Sequence, residues 1–281
     1  MKIDKLLGFY MAHHGEKICS VLRTRSSVKN LTAYFRCDHS RITPAMLRGY
    51  RASEDLAPAT INRDFGVLRS ALIYAKKEGK VRAIPDIPER DGAVKRVTWL
   101  TEEQIKTLIA EAQRHPGLLA FIWLALGTAQ RLQAILGLRW SQVDRKNSTI
   151  WFNEHDLTNP KRRKGRGNVH IGEGLGALLD TLKQGNDTPY VLVSQRGCRY
   201  RDIDRDQWAK VTAAAGLAGL RPHDLRHTVA TQSHKNGIKL LDISKMLGHR
   251  NTKITEEYYV NHEPSFLAPA AALMDRLTGM A

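Results

Sequence analysis

The stretch Arg221-Pro222-His223-Asp224-Leu225-Arg226-His227, followed by Leu241-Asp-Ile-Ser-Lys-Met-Leu247-Gly248-His249 and then Thr255-Glu-Glu-Tyr258-Tyr259-Val-Asn-His262, decides how this chain is read. Pro222 suits a first helical position, so His223, Arg226 and His227 fall on adjoining faces of the first turns. A helix N-terminus attracts anions, and Arg226 adds a bidentate fork for phosphate oxygens. Gly248 can end a helix whose apolar side carries Leu240, Ile243 and Leu247, which puts His249 just past the helix end. Tyr258 falls nine residues further on, on a short helix of its own. Arginine and histidine donors can surround a phosphate, with a tyrosine hydroxyl beside them as nucleophile. Phosphoryl transfer depends on positioning and charge neutralisation more than on covalent machinery. No acidic cluster has metal-ligand spacing, so cationic side chains must supply the neutralisation and no metal site is expected. A helix bearing His and Arg can also be a plain solvated surface, but the ordered set argues for a site.

The pattern His223-x-x-Arg226-His227, Leu247-Gly248-His249 and Thr255-x-x-Tyr258 resembles the signature of the tyrosine recombinases, the phage-integrase family. That resemblance predicts an earlier arginine and a lysine on a hairpin upstream. Thr128-Ala-Gln-Arg131, followed by Leu136-Gly-Leu138-Arg-Trp140, is similar to the family's Thr-Gly-x-Arg and Leu-x-Trp. Two residues depart from it: Ala129 stands where glycine is common, and Ala134 where an acidic partner often stands. From the residues alone, Arg131 could also be a surface arginine after a helix break at Gly127. Ser148 to Phe152 and Asn168 to Ile171 read as strands. Between them Asp156 to Gly167 forms a long basic tip, which by itself is an ordinary solvated loop. The resemblance implies that one of its lysines reaches the site, Lys161 first and Lys164 second, with Arg162 and Arg163 on DNA.

The 281 residues suit one large domain or two ordinary ones. Apolar residues make up 42%, enough for real cores, and the formal net charge of +16 favours a polyanionic partner, nucleic acid first and acidic membrane second. No apolar run reaches membrane-spanning length, the longest being Leu118 to Leu126. Met1-Lys-Ile-Asp-Lys carries an early acid and no long apolar stretch, so no leader peptide is expected. Cys19, Cys37 and Cys198 are far apart, which fits a reducing compartment and no disulfide or zinc framework. A cytoplasmic protein acting on DNA in a bacterial host is the expectation.

The first part, residues 1–84, reads as helical. Leu6 to Met11 begin one helix, Ser26-Ser27 offers the cap of a second, and Thr43-Pro44 starts a third. Thr60 to Gly79 reads as an amphipathic helix with Ile61, Phe65, Leu68, Leu72 and Ala75 inside. Arg63, Arg69, Lys76 and Lys77 lie off that stripe, either as a solvated face or, as the resemblance implies, as a DNA-contacting one. Residues 85–97, rich in Pro, Gly and charge, read as a linker. Thr101 with Gln104 forms a capping box that opens the next helix. A second domain follows over 98–263, with helices resuming at Gly172 to Lys183 and from Asp206. The segment 264–281, with Phe266, Leu267, Leu273, Met274 and Leu277, is an apolar tail helix.

The fold expected is therefore mainly α, with a small β-sheet or hairpin in a C-terminal catalytic domain behind an N-terminal helical domain that clamps DNA. The resemblance implies a site-specific recombinase or integrase acting on double-stranded DNA, for integration or excision of a phage or mobile element. It implies attack by Tyr258, a phosphate clamp of Arg131 and Arg226, His223 as base, Lys161 as acid, and hydrogen bonds from His249 and His227. No metal or organic cofactor is implied, nor ATP. A homotetramer on two DNA sites is expected, with the tail docked on a neighbouring protomer and a DNA-bending accessory protein as a further partner. A type IB topoisomerase-like enzyme and a catalytically inactive DNA-binding clamp share these features.

Overall fold

The computed structural model describes residues 1–14, 21–53, 55–88, 98–152, 167–194 and 196–249. The chain divides into two compact units, Met1–Lys95 and Arg96–Ala281.

The first unit holds α1 (Ile3–His14), α2 (Val21–Tyr34), α3 (Pro44–Arg51) and α4 (Pro58–Lys77). The five apolar positions read from α4 are all buried, against Leu6 and Leu7 of α1, Leu31 of α2 and Leu47 of α3. Full burial of each such leucine, isoleucine or phenylalanine contributes about 1.5–3 kcal/mol before entropy is counted. Thr43 caps α3 through the Met46 amide at 3.2 Å. The chain leaves α4 through Gly79 at φ +67°, where a side chain would be strained.

Two expectations change here. Ser26 and Ser27 are not the cap of the second helix, because α2 already runs from Val21. Ser27 faces inward at 0% exposure, and its hydroxyl accepts from Arg63 Nε at 3.3 Å, so a tertiary partner took the group that sequence offered to the backbone. Nor does the start of the stretch expected as a linker, from residue 85, stand apart from the first unit. Ile87 is buried in the N-terminal core, and Arg69 holds the carbonyls of Ile87 and Pro88 at 2.7 and 3.0 Å. The stretch through residue 88 therefore belongs to the first unit, and 89–97 lie outside the described residues.

The second unit contains α5 (Glu102–Ala112), α6 (Pro116–Thr128), α7 (Leu132–Ile135), α8 (Glu173–Lys183), α9 (Arg205–Ala214), α10 (Pro222–Lys235) and α11 (Leu240–Leu247). Thr101 and Gln104 close the capping box of α5 in both directions, at 3.0 and 3.3 Å. Strands β1 (Val143–Asp144), β2 (Thr149–Ile150) and β3 (Val169–His170) form an antiparallel sheet in that order. Ile150 pairs with Val143 on one side and Val169 on the other. Strand β1 has no sequence signal: Val143 stands alone between Gln142 and Asp144, without the run of β-branched and aromatic residues that marks the segments around β2 and β3. α6 is the centre of the core, with Phe121, Ile122 and Leu124 essentially inaccessible. α10 is fixed to the start of the unit at both polar groups of Leu100: its amide donates to Thr228 Oγ1 at 3.0 Å, and its carbonyl accepts from Gln232 Nε2 at 2.9 Å. Among the described residues, no helix is long and apolar enough to cross a membrane.

Candidate active site

Three breaks in the helical chain converge in the second unit. The first is the turn between α6 and α7. Ala129 caps α6 in the left-handed conformation, φ 52° and ψ 23°, and is fully buried. A left-handed backbone costs an L-residue roughly 1–2 kcal/mol, which accounts for the fit of glycine at such a place. Here the methyl group stays because it packs with Ala230, Ile243 and Leu247. That turn delivers Arg131 to the N-cap of α7, half-buried.

The second break is the start of α10. Pro222 sits in the first turn, and Asp224 accepts from the Arg221 amide at 2.8 Å. Arg226 follows one turn later and is only 3% exposed. Its guanidinium donates to Ala129 O at 2.8 Å, to Leu247 O at 2.7 Å, and to His249 Nε2 at 3.1 Å. These three acceptors are uncharged, so they orient the cation without cancelling its charge. At least three of its five donors hold it in place.

The third break is the end of α11. Gly248 adopts φ 66° and ψ 39°, and the amides of Gly248 and His249 return to the Lys245 and Ser244 carbonyls at 2.9 and 3.0 Å. This cap turns His249 back onto Arg226. An arginine can only donate, so His249 Nε2 is the acceptor and the proton of the neutral ring resides on Nδ1. Burial, then the charges of Arg226 and Arg131, lower the His249 pKa from 6.5 to about 4, so the ring is neutral at ordinary pH. Burial also lowers the His227 pKa, with Asp224 opposing and Arg226 adding to the effect. The exposed His223 stands edge-on to His227, with ring centroids 5.0 Å apart.

Arg131, Arg226, His227 and His249 thus gather at one place, with His223 at its edge. Tyr258, Lys161, Lys164, Arg162 and Arg163 lie outside the described residues, as does the tail. Arg63, Arg69, Lys76 and Lys77 lie on α4 of the first unit, where Lys76 and Lys77 are exposed while Arg69 is engaged on the 87–88 carbonyls.

Two residues of this neighbourhood escaped the sequence reading. Gln130 is 2% exposed, and its amide donates to Met246 O at 2.8 Å, tying the Arg131 turn to α11. Gly167 is buried against the same end of α11. A polar residue between Ala129 and Arg131 was the only available hint of the first, and a glycine abutting a strand the only hint of the second.

A buried guanidinium oriented by two carbonyls and a neutral imidazole, with a second arginine close by, is an arrangement suited to an anionic group such as a phosphate. The sequence pattern of the phage integrase family matches residues 98–265, more than half of the chain, and the chain belongs to that family, the tyrosine recombinases. The integrase of Escherichia phage 186 is 28% identical over 247 residues, covering 85% of this chain and 67% of its own. An integrase of a Salmonella phage is 26% identical, covering 79% of this chain and 59% of its own length. The tyrosine recombinase XerC of Lactobacillus delbrueckii is 28% identical over 73% of both chains. The chain therefore spans about three fifths to three quarters of these relatives. Among solved structures, the transposon Tn1549 integrase in complex with transposon right-end DNA superposes with a TM-score of 0.81 at 18% identity, covering 99% of this chain and 100% of that one. A lambda integrase tetramer bound to a Holliday junction gives 0.71 at 18% identity, covering 92% and 77%. At such identities the superpositions speak for the fold, mainly α with a small antiparallel sheet.

Proposed function

We propose that the chain is a site-specific DNA recombinase that cuts and rejoins double-stranded DNA through a tyrosine ester. Tyr258 Oη attacks the phosphorus, and its proton passes to His223. The bond from phosphorus to O5′ breaks, and O5′ leaves with a proton from a hairpin lysine, Lys161 first and Lys164 second. The products are a 3′-phosphotyrosyl link and a free 5′-hydroxyl. The ester keeps the bond energy, so a partner strand's 5′-hydroxyl reverses the step without ATP. Arg131 and Arg226 hold the non-bridging oxygens as charge grows on them. Neutral His249 keeps a donor on Nδ1, and His227 adds a further hydrogen bond.

The observation that carries this reading is the immobilised guanidinium of Arg226, held by Ala129 O, Leu247 O and His249 Nε2 within range of the Arg131 charge. Carbonyl and imidazole acceptors fix the plane and direction of the guanidinium, which is the preorganisation that a bidentate phosphate contact needs. The DNA partner is supported by relatives solved on DNA, and lambda integrase forms a tetramer on a junction. A homotetramer across two sites is the corresponding assembly here, with residues 264–281 docked on a neighbour and a DNA-bending protein assisting. Deleting 264–281 then leaves single-site binding intact and abolishes tetramer formation on a two-site substrate.

A nicked suicide duplex tests the chemistry. Wild type and Tyr259→Phe form a detergent-resistant adduct, whereas Tyr258→Phe binds DNA and forms none. An adduct from Tyr258→Phe sinks the assignment. Joined products from two duplexes separate a recombinase from an enzyme that only relaxes supercoils.

A further inference from the structure

We infer that Asp64 and Ser27 are positioning residues that hold the Arg63 guanidinium for direct reading of a guanine in the bound DNA. The inference rests on the proposed action at specific DNA sites. Asp64 is a carboxylate at 0% exposure, on α4 in the core of the first unit. Its Oδ2 accepts from Tyr50 Oη of α3 at 2.7 Å and from Asn30 Nδ2 of α2 at 3.0 Å, so three helices meet on one atom. Burial, then Asp64, raises the Tyr50 pKa above its ordinary value, so that hydroxyl remains a donor. The other oxygen, Oδ1, accepts no hydrogen bond among the described residues and lies 3.9 Å from Arg63 Nε. The same Nε donates to Oγ of buried Ser27 at 3.3 Å.

Stability does not account for this arrangement. A charge taken into a core is costly, and apolar residues of similar volume often replace a buried ion pair without loss. What the arrangement supplies is direction. Arg63 is held at Nε by one neutral and one charged oxygen. Its side chain is 40% exposed, and among the described residues nothing accepts from its two terminal nitrogens. Arg23 is exposed on α2 four residues before Ser27, on the same side of that helix, so the surroundings of Arg63 are basic and reach solvent. A phosphate is satisfied by a mobile point charge, such as exposed Lys76 and Lys77 supply. A guanine edge demands two donors in one plane, at N7 and O6, and a helix fits the major groove where that edge lies. A guanidinium anchored at Nε, with its terminal fork left for solvent, meets that demand.

Selection of duplexes from a randomised library by the whole chain, followed by sequencing, tests this. Wild type is expected to prefer guanine at one position by roughly 5- to 150-fold, the worth of one bidentate pair. Arg63→Lys keeps the charge and loses the fork. It is expected to lose that preference, select the other positions unchanged, and keep the salt dependence of affinity. Ser27→Ala and Asp64→Asn are expected to weaken the same position alone, whereas a merely structural role would weaken all sequences alike. Should Asp64→Asn fold poorly, Ser27→Ala and Arg63→Lys still decide. The wild-type selection returned by Arg63→Lys, or a uniform loss of affinity across sequences, makes Arg63 a phosphate contact and overturns the inference. The wild-type selection returned by both Ser27→Ala and Asp64→Asn shows that Arg63 needs no support, and overturns their positioning role. No selected sequence from wild type overturns the proposed action at specific sites, and this inference with it.

Discussion

A single side chain, Arg226, joins the three helix breaks that make the site. Its three acceptors come from the α6–α7 turn, the end of α11, and the residue beyond it. Lysine presents one nitrogen on a flexible stem and cannot span two carbonyls and an imidazole at once. Arg226→Lys is therefore expected to slow single-turnover adduct formation by more than tenfold, about 1.4 kcal/mol in the barrier. A variant within tenfold of wild type would count against a phosphate clamp. The neighbouring His249 gives a pH prediction. Its folded pKa, about 4, lies below the ordinary 6.5, so between those values the unfolded chain binds more protons. Stability is full above pH 6.5, falls as pH drops through this window, and levels off below about 4. The lowered pKa of His227 pushes in the same direction. Denaturant midpoints measured from pH 7 to 4 check this, and His249→Gln is expected to flatten the curve. Parallel losses in both proteins would show that other groups carry the acid response.

At the scale of elements, the parts legible in sequence are those whose cause is local. The Thr101–Gln104 box, Pro222 at the start of α10 and Gly248 at the end of α11 are bonds between near neighbours, so spacing alone reveals them. The order His223, Arg226, His227, Leu247, Gly248, His249 carried the family for the same reason. What escaped has a distant partner. Ser27 looked like a cap until Arg63 claimed it, and Ile87 looked like linker until the core claimed it. Gln130 and Gly167 meet α11 from far along the chain. Thr228 belongs with them: at 0% exposure it accepts from Leu100 N across 128 residues, and no local pattern encodes that. Thr228→Val keeps the shape and removes the acceptor, leaving a buried amide unpaired. The expected cost is about 1–3 kcal/mol, read from the denaturant midpoint of the full chain. An unchanged midpoint would mean that α10 is held without this bond.

For the whole molecule the dominant quantity is charge, +16 over 281 residues. Each phosphate contact releases condensed counterions, so log affinity falls with log salt at a slope of about −0.9 per contact. The structure separates basic residues that can make such contacts from those already committed within the fold. On α4, Lys76 and Lys77 are exposed on the last turn, and Arg69 is bonded to the Ile87 and Pro88 carbonyls. Sequence placed all three off the apolar stripe and could not tell them apart, because the acceptors of Arg69 lie past the end of its own helix. The two kinds of residue should therefore fail differently. Replacing Lys76 and Lys77 together by alanine is expected to reduce the steepness of the salt dependence by up to about 1.8, with little change in thermal stability. Arg69→Ala is expected to do the reverse: two carbonyls lose their donor, the 83–88 stretch loosens, and unfolding comes earlier while the slope is nearly kept. Titrations from 50 to 200 mM salt, paired with thermal melts of the same samples, decide between the two. An unchanged slope in the double lysine variant would mean that this end of α4 faces away from DNA. A lost slope with an unchanged melt in Arg69→Ala would mean that its guanidinium leaves the carbonyls for a phosphate.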